Sequence, residues 1–290
     1  MPQDQKIWTI IEILKETQGY FAGRGIPSHR LDAELLLAHC LGKDRLRLYL
    51  DFDSPLTGEE LSRFRELVRR RGRREPVAYI LGYKDFWSLR LRVSPDVLIP
   101  RPETEVLIEQ AVCLLKQESI GANPRILDIG TGSGAIALAL ARELPGADIA
   151  AIDVSAPALE IARMNAVDCC AVVRFAHADG LSATGTERFD CVVSNPPYIP
   201  TRDIDALEPE IRLFEPRVAL DGGADGLDFY RSFIPRLPAL LHPGGAVYFE
   251  MGHDQGAAIT EMLGLHGLRE TRIFRDYAAK PRVICARMPL

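Results

Sequence analysis

The feature that most constrains the fold of this chain is an alternation of two hydrophobic periods, starting near residue 97 and running to the end. Arg125–Ile129 reads as an apolar strand and Ala135–Arg142 as a helix, and Ile149–Asp153 with Ala156–Ala166 repeats the pair. Val172–Ala176, Cys191–Ser194 and Ala246–Glu250 read as further strands. A helix is expected around Ala257–Leu263, and Leu268–Phe274 and Arg282–Arg287 close the chain. Consecutive parallel strands need a crossover between them, and a helix is the usual crossover. The expected fold class is therefore α/β, an open and mostly parallel sheet with helices on both faces.

The chain is long enough for more than this sheet. Residues 1–75 carry helix spacing in Ile7, Ile10, Ile11 and Leu14, again in Leu31, Leu35 and Ala38, and from Glu59 through Leu61, Phe64 and Leu67 to Val68. Ser28 and Asp32 are placed to start the second helix. A small N-terminal helical bundle is expected over 1–75. Leu89, Leu91 and Val93 alternate with Arg90 and Arg92, and Tyr79–Leu81 is a possible earlier strand, so a β-hairpin linker is expected over 76–96. The α/β domain then occupies 97–290. The basic run Arg69–Arg74 has two readings, a solvated helix end that suits the C-terminal dipole or a patch facing an acidic partner or RNA.

Composition narrows the function classes. The formal net charge of −5 argues against indiscriminate binding to nucleic acid or anionic membranes, which needs a basic field. The six cysteines include no C-x-x-C pair, and no H-E-x-x-H occurs, so no metal site is expected. The start of the chain lacks a signal-peptide pattern, and no apolar run approaches about 18 residues. A cytoplasmic, monomeric protein is the expectation.

The first strand runs into Asp128-Ile129-Gly130-Thr131-Gly132-Ser133-Gly134 and then a helix. Glycines at alternate positions permit a tight turn and close approach of a ligand to the backbone, and the helix start favours an anionic group. Asp153 ends the second strand, where an acid can bind ribose hydroxyls. Asp128 is placed to orient the loop or meet a ligand's amino group. Asp179, after the third strand, is placed to accept from an adenine amino group or to cap a helix. By itself the loop fits either S-adenosylmethionine (SAM) or a nicotinamide dinucleotide.

Asn195-Pro196-Pro197-Tyr198, directly after the fourth strand, separates these readings, because a dehydrogenase does not require it. Two prolines stiffen the backbone and remove two N–H donors, which frees the carbonyls of Asn195 and Pro196 to face a substrate. The Asn195 side chain adds an acceptor and a donor, and Tyr198 offers a flat apolar face. Such a corner suits a planar –NH2 group whose lone pair is delocalised. Acceptors on its two hydrogens aim the nitrogen at a methyl donor and stabilise the positive charge that develops.

The whole chain resembles the release-factor glutamine methyltransferase family, often called HemK or PrmC. The resemblance runs through Leu31-Asp32-Ala33-Glu34-Leu35-Leu36-Leu37, Glu75-Pro76-Val77-Ala78-Tyr79-Ile80-Leu81-Gly82, Ile99-Pro100-Arg101-Pro102-Glu103-Thr104-Glu105, Asn195–Tyr198, Phe214-Glu215-Pro216, Phe249-Glu250-Met251-Gly252 and Arg275-Asp276-Tyr277. It implies a helical N-terminal substrate-recognition domain and a Rossmann-like, seven-stranded SAM-dependent methyltransferase domain. It also implies that the substrate is the glutamine of the Gly-Gly-Gln motif in peptide-chain release factors, with no direct nucleic-acid partner. Carried over by residue, Asp128, Gly130, Thr131, Gly132, Ser133, Gly134, Asp153, Asp179, Gly180 and Asn195 hold SAM. Asn195, Pro196, Pro197 and Tyr198 hold the glutamine.

The family often has an aromatic residue where this chain has Gly180, which leaves Phe86 or a residue near Arg101 to cover the cofactor. Arg101 is expected to close the pocket, to touch the incoming protein, or to pair with Glu103 or Glu105. Glu215 and Glu250 are expected to organise loops behind the site. The rival readings are a ribosomal-protein glutamine methyltransferase, an adenine methyltransferase, and a SAM-responsive binding module without turnover.

Overall fold

The computed structural model describes residues 7–117, 123–179 and 187–290, and the chain divides into two compact units. In the first, two threonines set helix starts. Thr9 caps α1 (Ile10–Gly23) and Thr57 caps α4 (Gly58–Gly72). Each forms a reciprocal pair with a glutamate three residues on, Glu12 and Glu60. Such a cap stabilises a helix by about 1 kcal/mol. Between them lie α2 (His29–Leu41) and α3 (Arg45–Leu50), and α5 (Val77–Leu81) follows. Phe21, Leu36, Leu37 and Phe64 are fully buried at the centre of this bundle.

The segment Tyr79–Leu81 is a correction to the sequence reading, because it lies in α5 and not in a strand. Pro76 stands at the helix N-cap and Gly82 closes it in the left-handed conformation at φ +80°. Those two residues confine Val77–Leu81 to one helical turn despite its β-favouring side chains. The hairpin is instead β1 (Tyr83–Phe86) with β2 (Leu89–Arg92), and it belongs to the second unit.

The second unit continues with α6 (Thr104–Gln117), β3 (Arg125–Ile129), α7 (Ala135–Glu143), β4 (Asp148–Asp153), α8 (Ala156–Asp168), β5 (Arg174–His177) and β6 (Phe189–Ser194). After α9 (Pro209–Phe214), which is counted with the first unit, come α10 (Asp228–Phe233), α11 (Leu237–Leu240), β7 (Leu241–Glu250), α12 (Gly256–Leu265), β8 (Arg269–Arg275) and β9 (Pro281–Arg287). The strand order is β5-β4-β3-β6-β7-β9-β8, with β9 antiparallel to both its neighbours.

Side-chain alternation divides the core by face. Ile126, Ala151 and Cys191 pack with α6 and α7, whereas Leu127, Ile152 and Val192 pack with α10, α11 and α12. From β3 the chain proceeds outward through β4 and β5, then returns to lay β6 on the other side of β3. The crevice at the carboxyl ends of β3 and β6 is thus a topological switch point, where open α/β sheets bind ligands.

The basic run is mixed: Arg69 and Arg73 are exposed at the helix end, whereas Arg71 turns inward. Arg71 is buried, and its guanidinium meets Asp32 at 2.7 Å and Glu210 of α9 at 2.8 Å. Arg74 reaches the same Glu210 at 2.6 Å, Arg70 pairs with Glu75, and Arg69 pairs with Glu66. Burial raises the Glu210 carboxyl, but hydrogen bonds from Arg74 and Arg71 outweigh it and hold the group below its ordinary value. Asp32 therefore serves the bundle interior. Glu34, also fully buried, is met by Arg30, Arg45 and Tyr49. No helix of the described residues is long and apolar enough to cross a membrane.

Candidate active site

The ends of β3, β4 and β6 and the segment after β5 converge on a cavity of about 270 Å³. Its lining includes Gly130, Thr131, Gly132, Ser133, Asp153, Asp179, Asn195, Pro196 and Pro197. Asp96–Leu98, Pro100 and Thr104 form another wall, and Pro216, Val218 and Ala219 a further one.

The three loop glycines have different work. All have positive φ, at +68°, +56° and +84° for Gly130, Gly132 and Gly134. Among the described residues, a Cβ on Gly130 or Gly132 would meet no atom within 4 Å. The space over these two is open to a ligand, which can lie against bare backbone. A Cβ on Gly134 would come within 3.2 Å of Leu138 and 3.3 Å of Ala162, so this glycine lets α7 pack closely on α8.

Asp153 does more than end β4. Its Oδ2 accepts from the Gly132 N–H at 2.8 Å and its Oδ1 from the Ser155 N–H at 2.8 Å. The carboxylate staples the glycine loop in place and retains lone pairs for ribose hydroxyls. Asp128 takes the loop-orienting one of its expected roles. It is fully buried, does not line the cavity, and accepts from the Thr131 hydroxyl at 2.6 Å and the Ala137 N–H at 3.3 Å. Burial raises its carboxyl to about 7 against these bonds. It orients the loop from beneath, and its Oδ1 has no partner among the described residues. Asp179 lines the cavity and is exposed, while Gly180 lies outside the described residues.

Asn195 is half-buried and Pro196 buried, and both line the cavity with acceptors that no described residue takes up. Among the described residues, neither backbone carbonyl accepts a hydrogen bond, and neither does Asn195 Oδ1. The Asn195 amide nitrogen donates to Thr104 Oγ1 at 3.1 Å, and the Thr104 hydroxyl donates to Glu250 Oε2 at 2.6 Å. Tyr198 is a correction. It does not line the cavity, and its hydroxyl turns inward to Glu250 Oε1 at 3.1 Å and to Arg282 at 3.4 Å. Burial, and then the Glu250 charge, push its hydroxyl well up. Its backbone carbonyl is taken by the Gln255 amide at 2.9 Å. Tyr198 therefore anchors the tetrapeptide, its phenol being one of two hydroxyl donors to a buried carboxylate.

Phe86 is buried in the core and does not cover the cavity, whereas Asp96–Leu98 just ahead of Arg101 do line it. Arg101 pairs with neither Glu103 nor Glu105 but with the buried Glu215, which also accepts from the Ile99 N–H at 3.1 Å. One carboxylate thereby joins the wall before Arg101 to the wall that starts at Pro216. Thr104 and Val154, which also line the cavity, were not singled out from the sequence. Thr104 carried a signal in its place within Ile99–Glu105, but Val154 carried none.

Residues 12–82 match the family model described as the PrmC N-terminal domain, and residues 104–209 match one described as a methyltransferase small domain. A release factor glutamine methyltransferase of Geobacter sulfurreducens is 44% identical over 288 residues, spanning 99% of this chain and 100% of that protein. The chain belongs to the release factor glutamine methyltransferase family. A second family member, from Chlorobaculum tepidum, is 44% identical over 286 residues and 96% of each chain. A solved methyltransferase from Pyrococcus furiosus shares the fold with a TM-score of 0.51 at 18% identity, over 70% of this chain and 90% of that one. The family's donor, SAM, fits the cavity: its floor is bare glycine backbone, and acids stand after β4 and β5.

Proposed function

We propose that this chain methylates the side-chain amide nitrogen of the glutamine in the Gly-Gly-Gln motif of peptide-chain release factors. Action as a cytoplasmic monomer belongs to the same reading. The observation that carries it is the pair of uncommitted acceptors, Asn195 Oδ1 and the Pro196 carbonyl, at the wall of a cavity floored by Gly130 and Gly132.

When bound, SAM supplies a methyl group made electrophilic by its sulfonium charge. Gly130 and Gly132 let it approach the backbone, Asp153 takes the ribose hydroxyls, and Asp179 takes the adenine amino group. Asn195 Oδ1 and the Pro196 carbonyl each accept one N–H of the substrate carboxamide. Held by both hydrogens, the nitrogen is presented to the methyl group ahead of the amide oxygen, which is the better nucleophile in free solution. The same acceptors stabilise the positive charge that grows on nitrogen. The N–H becomes acidic only as that charge develops, so no strong base has to act first.

The test is to incubate the enzyme and methyl-labelled SAM separately with a release factor, with ribosomal proteins and with DNA. Label is expected in the release factor and should vanish when the Gly-Gly-Gln glutamine is replaced. Label retained after that replacement, or found only in ribosomal protein or DNA, overturns the assignment.

A further inference from the structure

Glu250 ends β7 at 1% exposure, and both its carboxylate oxygens are committed to hydroxyls that flank the tetrapeptide. Oε2 takes the Thr104 hydroxyl and Oε1 takes the Tyr198 hydroxyl. Burial pushes the Glu250 carboxyl up, against the Thr104 hydrogen bond, the charge of Arg282 and the Tyr198 hydrogen bond. Arg282 is itself braced by Asp276 at 3.3 Å, and in this geometry both Glu250 oxygens accept. With Oε2 accepting, the single Thr104 O–H is spent on it. The Thr104 oxygen is then left to accept, and Asn195 Nδ2 is its donor.

This chain of bonds has a direction. The two ends of an asparagine carboxamide have nearly the same shape and opposite hydrogen-bonding character. An acceptor fixed at Thr104 turns Nδ2 inward and leaves Oδ1 as the end available to a ligand. Turned the other way, Asn195 would present N–H groups to the cavity and would welcome a carboxylate. Glutamine and glutamate differ in that one respect: the first offers two N–H donors where the second offers only acceptors.

We propose that Glu250 and Thr104 are positioning residues that hold the Asn195 carboxamide with its oxygen toward the cavity, and that this orientation makes the site select a side-chain amide over the corresponding acid. The inference rests on the reading of Asn195 as the residue that meets the substrate amide.

The test uses the full-length enzyme, a release factor as substrate, and the same protein with its Gly-Gly-Gln glutamine replaced by glutamate as competitor. Thr104→Val removes the acceptor with little change of shape, and Thr104→Ser restores it. Thr104→Val is expected to lower kcat about tenfold, the order of one lost hydrogen bond, with SAM affinity unchanged and Thr104→Ser near wild type. The preference for the glutamine protein over the glutamate competitor should shrink by a similar factor, an effect that a merely structural role would not produce. If Thr104→Val does not fold, Thr104→Ala, which only removes atoms, replaces it in the same assay.

Unchanged kcat and unchanged preference in the valine variant overturn the proposal. So does a loss of SAM binding that serine fails to restore, since that marks Thr104 as a plain cavity wall. Asn195→Ala separates the two levels of the argument. If it is impaired while Thr104→Val is not, the relay alone fails; if neither is impaired, the underlying reading of the site fails with it.

Discussion

The carboxylate of Asp153 holds the N–H of Gly132 at 2.8 Å, so the acid that ends β4 also shapes the loop that leaves β3. Removing it takes away a ribose acceptor and a loop staple together. Asp153→Ala is expected to weaken SAM binding by about 10- to 100-fold, the range for hydrogen bonds to a charged group, with turnover at saturating SAM much less affected. Titration calorimetry with SAM checks this, and unchanged affinity would remove Asp153 from the cofactor site.

The glycine loop predicts a split between binding and stability. Alanine at Gly132 enters open space, and its backbone strain in the left-handed region costs about 1 kcal/mol. Its methyl group occupies room meant for the ligand, so Gly132→Ala should lose SAM affinity while melting a few degrees lower. Alanine at Gly134 suffers similar strain at φ +84° and also presses on Leu138 and Ala162. Gly134→Ala should therefore show the larger fall in melting temperature, because α7 has to move away from α8. Equal melting losses for the two variants would contradict the different work given to these glycines.

Asn195 is expected to act on the chemical step. Asn195→Ala should reduce kcat by about 100-fold, as for loss of one preorganised group that meets developing charge, with little change in SAM affinity. Single-turnover rates beside SAM titrations decide it. A large defect in SAM binding with normal turnover at saturation would show that the side chain serves the donor and not the acceptor.

Much of this was legible in the sequence because it was written in local pattern. The strand Arg125–Ile129 announces itself by apolar continuity, and the loop after it by glycines that only a turn or a ligand would demand. Asn195–Tyr198 was legible because two prolines leave few conformations. Two of the misreadings share one cause, a partner distant in sequence. The Tyr198 hydroxyl is claimed by Glu250, 52 residues on. Arg71 is claimed by Asp32 and by Glu210, so a run of arginines that looks uniformly like open surface sends one member into the interior. Tyr79–Leu81 failed differently, since the five-residue segment Val77–Leu81 that contains it has no period of its own and its two capping residues decide it.

Arg71 carries a prediction about stability. Its side chain is 4% exposed and the Asp32 side chain 7%, so truncation strands a carboxylate inside the bundle. Breaking such a pair on one side costs about 3–5 kcal/mol. Arg71→Ala should lower the urea midpoint accordingly, and adding Asp32→Ala should recover part of the loss, because the stranded charge has gone. A double variant no more stable than Arg71→Ala would mean that Asp32 is not the group left uncompensated.

Asp128 carries the last prediction, and its sign follows from its burial. The folded carboxyl titrates near 7, against about 3.9 for an unfolded aspartate. Between those values the native state binds more protons than the unfolded state. Stability contributed by the protonated group is therefore fully present below about pH 4 and is lost as pH rises toward 7. Asp128→Asn cannot ionise and lacks this term, so other titrations largely cancel in the comparison. The stability of the wild type relative to Asp128→Asn should fall by about 1.4 kcal/mol per pH unit across the window. Urea unfolding of both proteins at pH 4.5, 5.5 and 6.5, spanning roughly the middle of that window, measures the slope. A difference that stays flat would mean that Asp128 is ionised throughout, with a donor paired to the oxygen that now has none.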